Sequence, residues 1–319
     1  MSEKKTRRIW DVPDDELLHH GHTACQGCGG ALSMRLALKA LGENTVITIP
    51  ACCWTIIAGG FPGHALKVPV FHTAFETAAI VATGIKGGLN MTGRKEVISM
   101  AWAGDGGTFD IGIQALSGAA ERGEDIIYVV YDNEAYMNTG IQRSGATPVG
   151  AWTTTTPYKR PNPRPKKNLM EIMAAHRIPY AATATPAFPE DLIRKFRKAK
   201  ALAGKGLRFI HILSPCPPGW KMASDYSIHV ARLAVESRVF PLYEIEDGGK
   251  SYTINYWPKG IPVEDYLKIQ GRFRHLFRPG GEKWLEAFKQ DIEDKWNTLV
   301  QKHIATHGTT DNIPRGFYK

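Results

Sequence analysis

Apolar runs of two kinds alternate along the first two thirds of the chain. Residues 29–41, GGALSMRLALKAL, are apolar around most of a helical circumference and predict a buried helix. A short β-branched strand is expected at 45–49, after the Gly42-Glu43-Asn44 turn. Residues 73–88, rich in small side chains and ending in glycines, predict a second helix with a glycine C-cap. The continuous apolar runs at 96–101 and 126–131 lack the alternation of a half-exposed strand, which marks them as parallel strands covered on both faces. Residues 111–122 supply the crossover helix between them. Leu192, Ile193, Phe196 and Ala199 keep helical spacing in a helix predicted over 189–203, and 207–213 is the strand that follows. This order predicts an α/β fold, a doubly wound and mostly parallel sheet. Ligands of such a sheet lie beyond the carboxyl ends of its strands, where 104–110, 132–140 and 214–220 should gather.

Two regions break the pattern. Residues 153–168, TTTTPYKRPNPRPKKN, hold four prolines and five basic residues and predict an extended loop. Its segment 157–167 is equally an exposed loop or a docking surface for an acidic protein or a sister subunit. Beyond Pro241 the sequence is aromatic, charged and weakly periodic until a helix near 281–303, as expected of a tail that wraps a partner subunit rather than building a core. The chain thus divides into an N-terminal arm (1–20), an α/β domain (21–240) and a C-terminal extension (241–319). Glu190 and Asp191, followed by Arg194, Lys195, Arg197 and Lys198, suit a helix dipole and predict a solvated helix face.

A chain of 319 residues with 43% hydrophobic and 22% charged residues has the composition of a globular protein. The net charge of +9 is spread over separate runs without an RNA-binding signature or a Cys-Cys-His-His finger, so a basic surface facing an acidic protein is expected rather than nucleic acid. The N-terminus has no apolar core like that of a signal peptide, and no run approaches the roughly 18–20 apolar residues of a membrane helix. Five cysteines, an odd count, do not suit a secreted disulfide framework. A cytoplasmic protein is expected, its cysteines reduced or bound to metal.

The chemistry concentrates in 101–140. Gly104-Asp105-Gly106 ends one apolar strand, and Asp132-Asn133 ends the next, with Asn133 standing 28 positions after Asp105. A carboxylate and a carboxamide are thereby aimed at one point, as a diphosphate held through a divalent metal requires. A bare GDG is weak; the preceding strand, the interval and the tail DNEAYMNTG make it specific. The segment resembles the metal–diphosphate signature of thiamine diphosphate enzymes. That resemblance implies that Asp105 and Asn133 ligate Mg2+ through their side chains and Ala135 through its carbonyl. It implies that Gly104 and Gly106 let the diphosphate lie close, and that Asn138 and Thr139 face the thiazolium or substrate, with Asn138 the catalytic candidate. The usual Asn-Asn pair is Asp132-Asn133 here.

Cys25, Cys28, Cys53 and Cys216 form the second constellation. Zinc sites usually join two close couples, whereas Cys53 and Cys216 stand 163 residues apart. A thioredoxin-type CxxC follows a strand, but CQGC precedes the first one. An iron–sulfur cluster tolerates such dispersal. HTACQGCGGALSMRLALKALG, YMNTGIQRSGATP and SPCPPGW resemble, in that order and over roughly residues 20–240, the β subunit of the pyruvate:ferredoxin oxidoreductase family.

The resemblance implies a 4Fe–4S cluster on these four cysteines, with Cys52 a buried spare. It implies oxidative decarboxylation of a 2-oxo acid, pyruvate first, with coenzyme A as acyl acceptor and electrons passing to ferredoxin. Oxalate or a branched-chain or aryl 2-oxo acid is the alternative substrate, and a non-catalytic iron–sulfur or zinc scaffold the alternative of another class. The glutamate that activates thiamine would come from an α subunit, with γ and ferredoxin-like δ subunits completing the complex. Glu76 is read as structural, and His19, His20 and His22 as surface or interface residues, with His22 near the cluster loop.

Overall fold

The structure, a computed structural model, describes residues 12–60 and 62–313. One eight-stranded sheet runs through it in the order β2-β1-β3-β4-β6-β5-β7-β8. The strands are β1 (Thr45–Pro50), β2 (Val70–Thr73), β3 (Ile98–Gly104), β4 (Ile127–Asp132), β5 (Tyr180–Ala184), β6 (Arg208–Leu213), β7 (Tyr243–Glu246) and β8 (Ser251–Ile254). The first six are mutually parallel, and β7 and β8 add antiparallel at one edge. The helices are α1 (Gly29–Leu41), α2 (Cys53–Ala58), α3 (Ala78–Met91), α4 (Ile113–Glu121), α5 (Leu169–Ala175), α6 (Pro189–Ala201), α7 (Pro217–Trp220), α8 (Ser227–Glu236), α9 (Val263–Lys268) and α10 (Glu282–His307).

Strand periodicity assigns the faces. On β3, Met100 and Trp102 point into the core that α1 and α6 cover, while Ala101 and Ala103 point into the core under α3 and α4. On β4, Ile127, Val129 and Tyr131 take the first side and Tyr128 and Val130 the second. Every β3 and β4 residue is buried, as both-face coverage requires.

The predicted helix at 73–88 is corrected: Val70–Thr73 is an edge strand and the helix begins at Ala78. The predicted crossover helix is also two pieces, a π-helix over Gly106–Ile111 and then α4. A further correction concerns the region beyond 241. It does not lie outside the sheet but supplies β7 and β8, and Tyr256, Tyr266, Phe273 and Phe288 join a third core with Trp220 and Val230. Nor is the charged face of α6 solvated throughout: Arg194 is exposed, but Glu190, Asp191, Arg197 and Lys198 are half-buried. Lys195 is fully buried, donating to the Thr183 carbonyl at 2.8 Å and to Asp191 Oδ2 at 2.6 Å, and Arg194 reaches Glu244 on β7 at 3.1 Å. Among the described residues no helix is long and apolar enough to cross a membrane.

Candidate active site

The carboxyl ends of β1, β3, β4 and β6 carry Cys53, Gly104-Asp105-Gly106, DNEAYMNTG and SPCPPGW, while CQGC lies in the segment before α1. Gly104 ends β3 and pairs with Tyr131 of β4, so Asp105 and Asn133 leave adjacent strands side by side. Asp105 is buried, and Ser144 donates to its Oδ2 from the RSGATP loop. One terminal atom of the Asn133 carboxamide lies 2.9 Å from Asp105 Oδ1 and 3.0 Å from the Ala135 carbonyl oxygen. With nothing between these groups the amide nitrogen belongs at that position, donating to both. With a cation among them the amide oxygen belongs there, and three hard oxygens face one point. Burial, and then the charge of Asp132, push the Asp105 carboxyl well above the usual carboxylate range, a penalty that a bound cation reverses.

Gly106 has no room for a side chain: a Cβ there would lie 2.2 Å from the ring of Tyr136. Tyr136 is held by its hydroxyl, which donates to Asp110 Oδ2 at 2.8 Å, and Asp110 also accepts from the Gly145 N–H and from Lys167. Asn138 and Thr139 follow on an exposed stretch. Together with Gly104–Gly107, Cys52, Phe75 and Tyr131 they line a cavity of about 50 Å3.

The cysteine loops meet beside it. The Gly29 N–H donates to the Pro215 carbonyl at 3.0 Å, and Ser227 Oγ to the Gly27 carbonyl at 2.6 Å. Gly27 is left-handed at φ 73°, and a Cβ there would lie 2.2 Å from the Ser224 carbonyl oxygen, so CQGC can seat against the residues after SPCPPGW only with glycine. Cys25, Cys28, Cys53 and Cys216 consequently border one cavity of about 100 Å3. Cys28 precedes α1, Cys53 opens α2 and Cys216 precedes α7. Burial raises the Cys28 and Cys53 thiols and takes Cys216 to about 12, so these thiolates need compensating positive charge. Trp54 lines the same cavity, and its buried indole N–H has no hydrogen-bond partner among the described residues. Cys52 lines the neighbouring cavity instead, and Glu76 lines neither. Among the described residues no three His, Cys, Asp or Glu side chains cluster tightly enough for a single ion.

The two cavities share a wall. Cys53, Tyr131, Asn133 and Asn138 line both. SPCPPGW also touches the turn directly, through the Trp220 indole N–H that donates to the Asn133 carbonyl at 2.8 Å.

Behind the turn stands a buried charge network with no signature in the sequence. Asp132 Oδ2 meets His211 Nε2 at 2.7 Å and also pairs with Lys166. Burial works against the Asp132 charge, but Lys166 and His211 outweigh it and lower its pKa. Glu134 pairs with Lys166 at 2.9 Å and with Arg272 at 2.6 Å. Arg272 in turn stacks on Trp220, 4.0 Å from the ring centre. Lys166 corrects the picture of 157–167 as wholly surface: it is largely buried, as are Pro161 and Asn162, whereas Lys159, Arg160 and Arg164 are exposed. Another cavity, about 280 Å3, opens on this far side between the loop and α10 and has neither a cysteine nor a GDG glycine in its wall. His19 and His20 are exposed, and His22 Nδ1 accepts from the Ala24 N–H at 3.3 Å.

Residues 52–212 match the thiamine pyrophosphate enzyme C-terminal TPP-binding domain. The chain is 50% identical over 312 residues to the ketoisovalerate oxidoreductase subunit VorB of Pyrococcus horikoshii, covering 94% of this chain and 97% of that one. It is 51% identical over 269 residues to the pyruvate synthase subunit PorB of Methanothermobacter thermautotrophicus, covering 83% and 92%. The fold is similar to a chain of the 2-oxoglutarate:ferredoxin oxidoreductase from Magnetococcus marinus, with a TM-score of 0.55 and 22% identity over 72% of this chain and 82% of that one. The chain belongs to the thiamine pyrophosphate enzyme family, as a β subunit of the 2-oxoacid:ferredoxin oxidoreductases that act as multi-subunit complexes.

Proposed function

We propose that this β subunit holds thiamine diphosphate, Mg2+ and a 4Fe–4S cluster and serves the oxidative decarboxylation of pyruvate to acetyl-CoA, with ferredoxin as electron acceptor. The observation that carries the reading is the wall shared by the two cavities, formed by Cys53, Tyr131, Asn133 and Asn138. When bound, thiamine diphosphate supplies an electron sink for decarboxylation, and the cluster a one-electron acceptor.

The chain's own residues fit those groups. Asp105, Asn133 and the Ala135 carbonyl would hold Mg2+, because they bring together oxygen donors of the hard kind that this cation takes. Gly104 and Gly106 leave the diphosphate free approach to the backbone. Cys25, Cys28, Cys53 and Cys216 would hold the cluster, with the Trp54 N–H as a donor toward a sulfide. The exposed Asn138 and Thr139 would face the reacting end of the cofactor or the substrate, and Asn138 would touch the reacting atoms.

The site is half of an active site. Its cavity of about 50 Å3 is far below the roughly 300–1,000 Å3 of a site that encloses a whole ligand. An α subunit would complete it, contributing the thiamine-activating glutamate and the substrate contacts. A ferredoxin-like δ subunit would carry electrons on to external ferredoxin, and a γ subunit would complete the complex.

A branched-chain 2-oxo acid is the second reading, favoured by 50% identity across 94% of this chain to a ketoisovalerate oxidoreductase subunit. The assembled complex, assayed with methyl viologen and coenzyme A across pyruvate, 2-oxoisovalerate, aryl 2-oxo acids and oxalate, decides between them. The highest kcat/KM is expected with pyruvate, and a higher value with 2-oxoisovalerate would transfer the assignment.

A further inference from the structure

Residue 134 is where the diphosphate–metal turn departs from ordinary backbone. Glu134 is left-handed at φ 69° and only 2% exposed. A side chain with a Cβ resists that conformation. Its carboxylate is gripped on both sides, Oε1 by Lys166 at 2.9 Å and Oε2 by Arg272 at 2.6 Å. Its N–H donates to Asp132 Oδ1 at 3.0 Å, and its carbonyl accepts from Thr147 Oγ1 at 2.7 Å. Both gripping cations come from outside the motif, Lys166 from the loop before α5 and Arg272 from the 3-10 turn over Gly271–Phe277. The residues on either side of Glu134 are Asn133, whose carboxamide approaches Asp105, and Ala135, whose carbonyl approaches that carboxamide. The backbone conformation of residue 134 therefore sets how these two groups are aimed relative to each other.

We infer that Lys166 and Arg272 are positioning residues that hold Glu134 left-handed, so that the Asn133 side chain and the Ala135 carbonyl converge with Asp105 on one cation. The inference rests on the Mg2+–thiamine diphosphate reading of that site. It differs from simple charge balance, in which Asp132, Glu134, Lys166 and Arg272 neutralise one another without acting on the backbone.

Glycine and alanine at residue 134 separate the two roles. Both remove the carboxylate, and with it the same contacts of Lys166 and Arg272, but only glycine enters the left-handed region freely. Mg2+-dependent binding of thiamine diphosphate to the assembled complex is measured by titration calorimetry, with thermal midpoint and visible absorbance as folding and assembly readouts. Glu134→Gly is expected to bind at least about fivefold more tightly than Glu134→Ala, the ratio that a left-handed penalty of about 1–2 kcal/mol implies. Lys166→Met is expected to weaken Mg2+-dependent binding, and Lys166→Arg to restore it in part. Equal affinities for the Gly and Ala variants would overturn the positioning role, and this pair stands even where Lys166→Met fails to assemble. A wild-type complex that binds no thiamine diphosphate would instead remove the reading of the site beneath it.

Discussion

Asp105 carries two demands that conflict without a cation. It must present an oxygen toward Asn133, yet it is buried near the charged Asp132, and both burial and that charge raise its pKa. Asp105→Asn keeps the size and the contact with Ser144 but removes the charge that, on the proposed reading, attracts Mg2+. Affinity for Mg2+–thiamine diphosphate should fall at least about 100-fold, the loss of a charged contact worth roughly 3 kcal/mol. The thermal midpoint without cofactor should hold or rise, because the buried charge is gone. Calorimetric titration and a melting curve read the two effects, and unchanged affinity would contradict the role given to Asp105. At this scale the spacing in the sequence identified the residues that point forward. The residues behind them escaped it, because Glu134 finds Lys166 and Arg272 across 32 and 138 positions. No local pattern links such partners, although a buried lysine in a proline-rich loop is a recognisable consequence once the fold is known.

The elements were legible where burial is complete on both faces. β3, β4 and β6 are continuous apolar runs, and each begins within two residues of its expected start. β5 was not predicted: YAATA is alanine-rich and has little strand propensity, and it is a strand because β6 and β7 flank it. The β7–β8 hairpin was hidden by its charge, since Glu244 is buried on a strand by pairing across to α6 and accepting from Tyr180 and Asn255. That pairing makes a pH prediction. Burial opposes the Glu244 carboxylate, but Lys195, Arg194, the Tyr180 hydroxyl and Lys198 outweigh it and hold its pKa at about 2, below the ordinary 4.5. A lowered carboxylate pKa adds stability that is complete above pH 4.5 and is lost as the pH falls toward 2. The contribution is about 3 kcal/mol at about 1.36 kcal/mol per pH unit. Urea midpoints measured between pH 6 and pH 3 should therefore fall steadily below about pH 5, and Glu244→Gln should flatten that limb. Parallel curves for the two proteins would show that the hairpin is not anchored by this charge.

For the whole molecule, the loops at the carboxyl edge of the parallel strands bring together motifs spread from Cys25 to Trp220. The region beyond 241 is part of the same construction, since Arg272 reaches back to Glu134 and Trp220. Its weak periodicity concealed this, because a mixed hairpin, a 3-10 turn and a long charged helix each bury only a narrow face. The central claim is that two cofactor sites share one wall, with Cys53 in it. It is tested most directly by assaying iron, acid-labile sulfide, zinc and bound thiamine diphosphate in the anaerobically purified complex, for wild type and for Cys53→Ser. The account predicts a full 4Fe–4S complement on the wild-type β subunit, lost or degraded in Cys53→Ser, with thiamine diphosphate retained. Zinc in place of iron on the wild-type chain, or an intact cluster in Cys53→Ser, would contradict it.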